Sequence, residues 1–151
     1  MVVRVKPCLV EVEVSSDDRG CFIPFSHAVA RDLSAHAPVP KRAYVVYNYG
    51  RGVIRGFHFH AREWKYFFVA GGAAKFVAID PEDPRDRHVF VASIRRPGVV
   101  IVPPGYANGW VSLEDQTTVM CLSSATFEES LADDTRYDPL TWGDVWSVRA
   151  R

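Results

Sequence analysis

Charge of one sign is what this chain most plainly lacks. Eighteen Lys and Arg offset eighteen Asp and Glu over 151 residues, for a formal net charge of zero. No basic stripe compensates, so there is no electrostatic footprint for nucleic acid. Cysteine is scarce too: Cys8, Cys21 and Cys121 are odd in number, far apart and in no metal-like spacing. That argues for free thiols in a reducing cytoplasm. No apolar run approaches a membrane span. The opening Met1-Val2-Val3-Arg4-Val5-Lys6-Pro7 is too short and too interrupted for a signal peptide. Repeats, linkers and low-complexity tracts are missing as well. What remains is ordinary for a soluble globular protein, 48% hydrophobic and 24% charged, and long enough for one domain, 1–151, with a real core.

Helical periodicity is sparse. Only residues 27–36 read as a helix, stopped by Pro38 and Pro40, with a further short one expected in the polar tail 130–137. Strand signals dominate. Residues 9–14 alternate apolar and acidic, and Asp17-Asp18-Arg19-Gly20 then reads as a turn. Runs rich in β-branched and aromatic residues follow at 43–47, 53–59, 64–69, 74–79, 88–93, 99–102, 110–113 and 117–122. Glycine, proline and aspartate punctuate them. Strands at this even spacing predict an antiparallel all-β sandwich or jelly-roll barrel with one or two short peripheral helices.

The most informative stretch is Arg55-Gly56-Phe57-His58-Phe59-His60. Strand alternation points His58 and His60 the same way. Three readings stand for them: inert residues, metal ligands, or a general base. A metal-binding cupin motif would need a third histidine where Pro103-Pro104-Gly105-Tyr106-Ala107-Asn108 offers Asn108, and Glu63 follows His60 too closely. Lys65 sits between Trp64 and Tyr66-Phe67-Phe68-Val69 in a thoroughly apolar strand, which suits a cation kept for a polar cavity and an oxyanion. Asp80 and Asp138 each precede a proline, and Asp-Pro favours turn initiation. Arg19-Gly20-Cys21-Phe22 reads as a turn feeding a strand, or as a guanidinium and ring for a nucleotide diphosphate and its base.

Together these pieces resemble the nucleotide-sugar 3,5-epimerases, typified by the dTDP-4-dehydrorhamnose 3,5-epimerases. Asp18-Arg19-Gly20-Cys21-Phe22, Gly52-Val53-Ile54-Arg55-Gly56-Phe57-His58-Phe59, Trp64-Lys65 and Phe76-Val77-Ala78-Ile79-Asp80 fall in that family's order. So do Ile101-Val102-Pro103-Pro104-Gly105-Tyr106-Ala107-Asn108-Gly109-Trp110, Tyr137-Asp138-Pro139 and Asp144-Val145-Trp146. The resemblance implies a cupin-type jelly roll, normally a homodimer, that needs no metal or other cofactor and acts on a nucleotide-diphosphate sugar. It further implies His58 as general base, Asp138 as its orienter and Lys65 beside the sugar 4-keto oxygen. Arg19, Phe22, Arg55, His60, Asp80 and Asn108 are the implied substrate-binding set.

Two positions depart from the family pattern. Asn108 stands for a histidine, and Phe127 for the tyrosine that delivers a proton to the opposite face of the sugar. Phenylalanine has no proton to give, which leaves Tyr44, Tyr47, Tyr106 and Tyr137 as hydroxyls to consider. A second family, the dTDP-sugar 3,4-ketoisomerases, is similar at Arg55 to His60 and at Lys41-Arg42-Ala43-Tyr44. A ketoisomerase moves a proton on one face and does not require that tyrosine. A non-catalytic sugar-nucleotide-binding cupin is the third reading.

Overall fold

The computed structural model describes residues 4–32 and 37–150. Along these the chain runs β1 (Cys8–Glu11), β2 (Ser15–Asp17), β3 (Gly20–Phe22), α1 (Phe25–Asp32), β4 (Arg42–Asn48), β5 (Ile54–Phe59) and β6 (Lys65–Gly71). It continues through β7 (Ala73–Ile79), β8 (Arg87–Ser93), β9 (Gly98–Val102), β10 (Ala107–Ser112), β11 (Thr117–Ser123), α2 (Phe127–Leu131) and β12 (Thr135–Arg136). Antiparallel pairing orders the strands into two five-stranded sheets, β1-β9-β6-β11-β4 and β12-β5-β10-β7-β8, with β2 and β3 as a separate hairpin. This is a cupin-like all-β jelly roll, as the strand spacing predicts.

Burial explains the unbroken apolar runs in β6, β7 and β9. A sheet covered on one face alternates, whereas one covered on both does not. Between the sheets lie Phe67, Val69, Phe76, Val100, Trp110 and Val119. The outer face of the first sheet, including Tyr66, Phe68 and Ile101, is covered by Val12, Phe25 and Val29. Phe25 stacks on Phe68 with ring centroids 4.5 Å apart. The outer face of the second sheet is covered by the tail, where Trp142 and Trp146 close on Phe57 at 4.9 and 4.8 Å. Each such buried ring stabilises the fold by roughly 1.5–3 kcal/mol. The pattern also aims the site. With Phe57 and Phe59 packed toward the tail, alternation turns His58 inward.

Some boundaries differ from the sequence expectation. The helix expected over 27–36 starts at Phe25, directly after Pro24, and its last four positions, 33–36, lie outside the described residues. The helix expected within 130–137 starts earlier, at Phe127, because Thr126 and Glu129 form a capping box. The strand expected at 110–113 begins at Ala107, since Asn108 and Gly109, a turn signal by composition, both pair with β7 and Asn108 pairs with β5 as well. On β5 the register shifts between Asn108↔His58 and Trp110↔Arg55. Gly56 and Gly109 meet at that irregularity: a Cβ on Gly109 would lie 2.6 Å from the Arg55 carbonyl oxygen.

Candidate active site

Between the two sheets lies a cavity of about 480 Å³. His58, Arg55 and Asn108 reach it from the second sheet; Arg42, Tyr44 and Lys65 reach it from the first. His60, just beyond β5, completes the histidine pair, its ring parallel to that of His58 at 6.5 Å. The expected common orientation of the two imidazoles is therefore present.

The carboxylate on His58 is not the expected one. Asp134 Oδ1 lies 3.0 Å from His58 Nδ1, brought there because β12 pairs with β5 through Thr135↔Phe59 and Arg136↔His58. Burial disfavours charge on Asp134, but hydrogen bonds from His58 and Arg136 outweigh it and hold its carboxyl below the usual range. An ionised carboxylate only accepts, so His58 Nδ1 carries the hydrogen, and in the neutral ring Nε2 is the nitrogen with the lone pair. Asp138 instead accepts from the Leu140 amide at 2.8 Å, within its own turn.

Three other expected ligands are also elsewhere. Asp80 is paired with Arg4 and accepts from the Glu82 amide at 3.0 Å, outside the cavity lining. Arg19 is exposed and paired with Asp17 on the β2–β3 hairpin, beside an exposed Phe22. The tight hairpin satisfies Arg19 locally, and Asp80 divides between its own Asp-Pro turn and the distant Arg4. Arg55 and Asn108 do line the cavity. Arg55 Nε donates to Asn48 Oδ1 at 2.8 Å, and Asn108 Nδ2 donates to the His58 and Tyr106 carbonyls at 3.2 Å.

Lys65 sits where an electrophile is needed. Its ammonium pairs with Glu63 and donates to the Tyr44 hydroxyl at 3.2 Å. Glu63 also accepts from Ser123 Oγ at 2.5 Å and pairs with Arg42 at 3.3 Å. Burial works against its charge, yet hydrogen bonds from Lys65 and Ser123 prevail and keep its carboxyl below the ordinary value. His60 Nε2 lies 3.2 Å from Glu63 Oε2 and 3.5 Å from Asp134 Oδ1. Burial pulls the His60 imidazole down, toward its neutral form.

Of the four tyrosines weighed as proton donors, only Tyr44 lines the cavity. Burial raises its hydroxyl well above the ordinary phenol value, so it stays protonated. Tyr106 is spent on Asp86 at 2.8 Å, Tyr137 packs on Phe59 and Trp142, and Tyr47 is exposed against Tyr49. Cys121 reaches the cavity, but burial pushes its thiol up to about 12, which leaves it no nucleophile at neutral pH. Among the described residues no group of three or more His, Cys, Asp or Glu is placed to hold a metal ion. Among them, too, no helix is long and apolar enough to cross a membrane.

Sequence reasoning missed Asp134 and the buried Glu63. Asp133-Asp134 before a two-residue strand carries no local signal. Glu63 was considered only as a metal ligand, where its spacing fails.

A jelly roll with a histidine–carboxylate pair facing a lysine and a tyrosine across one cavity defines a proton-transfer enzyme of the cupin class. Residues 6–148 match the family model for dTDP-4-dehydrorhamnose 3,5-epimerase, and the chain belongs to that family of sugar epimerases and isomerases. It is 27% identical over 107 residues to the spore coat polysaccharide biosynthesis protein SpsL of Bacillus subtilis strain 168, covering 66% of this chain and 71% of that one. It is similar in structure to the dTDP-4-dehydrorhamnose 3,5-epimerase of Bacillus anthracis, solved with TDP bound. The two share 25% identity and a TM-score of 0.78, over 95% of this chain and 86% of the other. The sugar 3,4-ketoisomerase QdtA of Thermoanaerobacterium thermosaccharolyticum shares the fold at 16% identity and a TM-score of 0.68, over 87% and 88%.

Proposed function

We propose that this protein epimerises a nucleotide-linked 4-keto-6-deoxy sugar, of the dTDP-4-dehydrorhamnose type, in activated-sugar and polysaccharide biosynthesis in the cytoplasm. The observation that carries the reading is a His58 held by ionised Asp134 and facing Lys65 and Tyr44 from the opposite sheet. His58 Nε2 takes the proton from the carbon beside the C4 ketone. The C–H electron pair moves into the enolate, whose oxygen the Lys65 ammonium stabilises. Tyr44 returns a proton from the other wall, and the enolate electrons re-form the C–H bond with inverted configuration. Arg55 and Arg42 supply positive charge for the diphosphate.

Arg19 and Phe22 lie outside the cavity of their own chain, and in this proposal they meet the nucleotide bound by a second copy. A homodimer belongs to this proposal, and sedimentation measures it.

One observation favours a second reading, a 3,4-ketoisomerase. Arg42 and Tyr44 line the cavity, while Phe127 stands there without a hydroxyl. The deciding experiment incubates the protein in deuterium oxide with a 4-keto-6-deoxy nucleotide sugar and follows the ring protons by NMR. Exchange with inversion supports the epimerase, and migration of the carbonyl from C4 to C3 supports the isomerase. No exchange across several such sugars supports a binding module. His58→Ala is expected to abolish exchange, and an unaffected rate removes His58 as the base.

A further inference from the structure

We propose that Glu63 is the positioning residue of this site: its buried carboxylate holds the Lys65 ammonium at the cavity wall, against the Tyr44 hydroxyl. The geometry stands by itself; the consequence for catalysis rests on the enolate chemistry proposed above.

Glu63 does not line the cavity, and its side chain is 1% exposed. It lies behind the wall where four elements converge. Arg42 and Tyr44 come from β4, Lys65 from β6, Ser123 from β11 and Ser130 from α2. His60 approaches from the end of β5, and Asp133 and Asp134 precede β12. Taking a carboxylate and an ammonium out of water costs more than a well-packed apolar pair of the same volume. Stability alone therefore does not account for the Glu63–Lys65 pair.

Donor arithmetic gives the alternative. A lysine ammonium has three N–H groups on a flexible four-carbon stem. One is fixed by Glu63 and one by Tyr44, which leaves a single donor for the cavity with its direction set by the other two. Glu63 Oε1 carries this load together with Ser123 and Arg42. Its Oε2 has no hydrogen-bond partner among the described residues, nor have the buried Arg42 Nε and His60 Nδ1. Glu63 Oε2 and Asp134 Oδ1 both approach His60 Nε2, so the carboxylate that aims the lysine and the one that aims the base share one imidazole.

Glu63→Gln, Glu63→Asp, Lys65→Met and the Glu63→Gln/Lys65→Met double variant test this. The first readout needs no substrate: nitrogen-15 NMR of labelled lysine side chains. Among the described residues two lysines are buried, Lys65 and Lys75, the latter donating to the Ser147 carbonyl at 2.9 Å. The Lys65 ammonium signal, assigned by its loss in Lys65→Met, is expected to be protected in the wild type, lost to solvent exchange in Glu63→Gln and at least partly restored in Glu63→Asp. The second readout is deuterium uptake into the 4-keto sugar. Glu63→Gln is expected to lower kcat about 10- to 100-fold, the range of one charge-assisted hydrogen bond, with KM little changed. It should add nothing on the Lys65→Met background.

A protected Lys65 signal that persists in Glu63→Gln, or rate losses that multiply in the double variant, overturns the proposal. Should Glu63→Gln fail to fold, Ser123→Ala loosens the same carboxylate without removing its charge and is expected to weaken the lysine signal; an unchanged signal counts against the idea. A wild type inert toward every 4-keto sugar ends the epimerase reading, while the lysine signal still decides what Glu63 does.

Discussion

Asp134→Asn is the sharpest single perturbation, because it separates the carboxylate that touches His58 from the one the sequence pattern favours. His58 Nδ1 and Asp134 Oδ1 are 3.0 Å apart, and the Asp134 side chain is 17% exposed. A hydrogen bond to a charged group contributes about 1.5–3 kcal/mol, and each 1.36 kcal/mol is tenfold in rate. Loss of the bond alone therefore predicts a fall in kcat/KM of about 10- to 150-fold. The amide does further harm. Its NH2 faces Nδ1 and favours the tautomer with hydrogen on Nε2, which cannot accept a proton; a comparable Asp→Asn change in a Ser-His-Asp triad costs about 10⁴. A loss between these bounds is expected in the deuterium-uptake assay. Asp138→Asn, whose carboxylate serves only the Leu140 amide, should leave the rate within about twofold, as surface changes do. The sign with pH follows from the depressed Asp134 carboxyl, below its reference of 3.8. Its contribution to stability is fully present above that reference and is lost as pH falls through the folded-state value. If Asp138→Asn is the slow variant and Asp134→Asn is not, the assignment of the base's partner is refuted.

Three further outcomes are expected. Gly109→Ala places a Cβ 2.6 Å from the Arg55 carbonyl oxygen and 2.9 Å from Gly56 Cα. Backbone cannot step aside there cheaply, so thermal melts should show a loss of about 1–3 kcal/mol together with reduced exchange. Phe127→Tyr adds a hydroxyl at a cavity-lining ring that is 60% exposed. Stability should stay within about 0.5 kcal/mol while the ratio of inversion to exchange in the NMR assay rises; no change in that ratio argues against a second proton donor at this wall. Asp86 accepts from Lys6 and Tyr106 and faces His88 at 2.8 Å, and chiefly through Lys6 its carboxyl lies well below 3.8. Its stabilisation is present above that reference and drains as pH falls through the depressed value, so Asp86→Asn should cost stability at neutral pH and nothing in strong acid, as read by denaturant melts.

What the sequence made legible was whatever local period decides. Alternation along 53–59 meant that two imidazoles one residue apart had to share a face. Lys65 in an apolar strand pointed to a polar cavity on the same reasoning. The carboxylates were not legible in this way. Asp80 and Asp138 matched a family pattern by position, yet each precedes a proline and each accepts from the amide two residues on, at Glu82 and Leu140. The local chemistry of the Asp-Pro step had described them correctly. Asp134 and Glu63 carry no such signature: each has a near neighbour as partner, Arg136 and Lys65, but His58, Arg42 and Ser123 come from elsewhere in the chain. Asp134 meets His58 only because the two-residue β12 adds to the edge of β5, and Glu63 meets Arg42 and Ser123 only because β4 and β11 pair beside β6.

A carboxylate that accepts from an amide of its own turn is anchored there: Asp138 stays at the Leu140 amide, and Asp80, which accepts from the Glu82 amide, adds Arg4 as its partner outside the cavity. The acids that orient the base and the lysine, Asp134 and Glu63, accept from no amide of their own turn among the described residues. Strand pairing, which no window of residues contains, brings Asp134 to the cavity and Arg42 and Ser123 to Glu63 behind its wall.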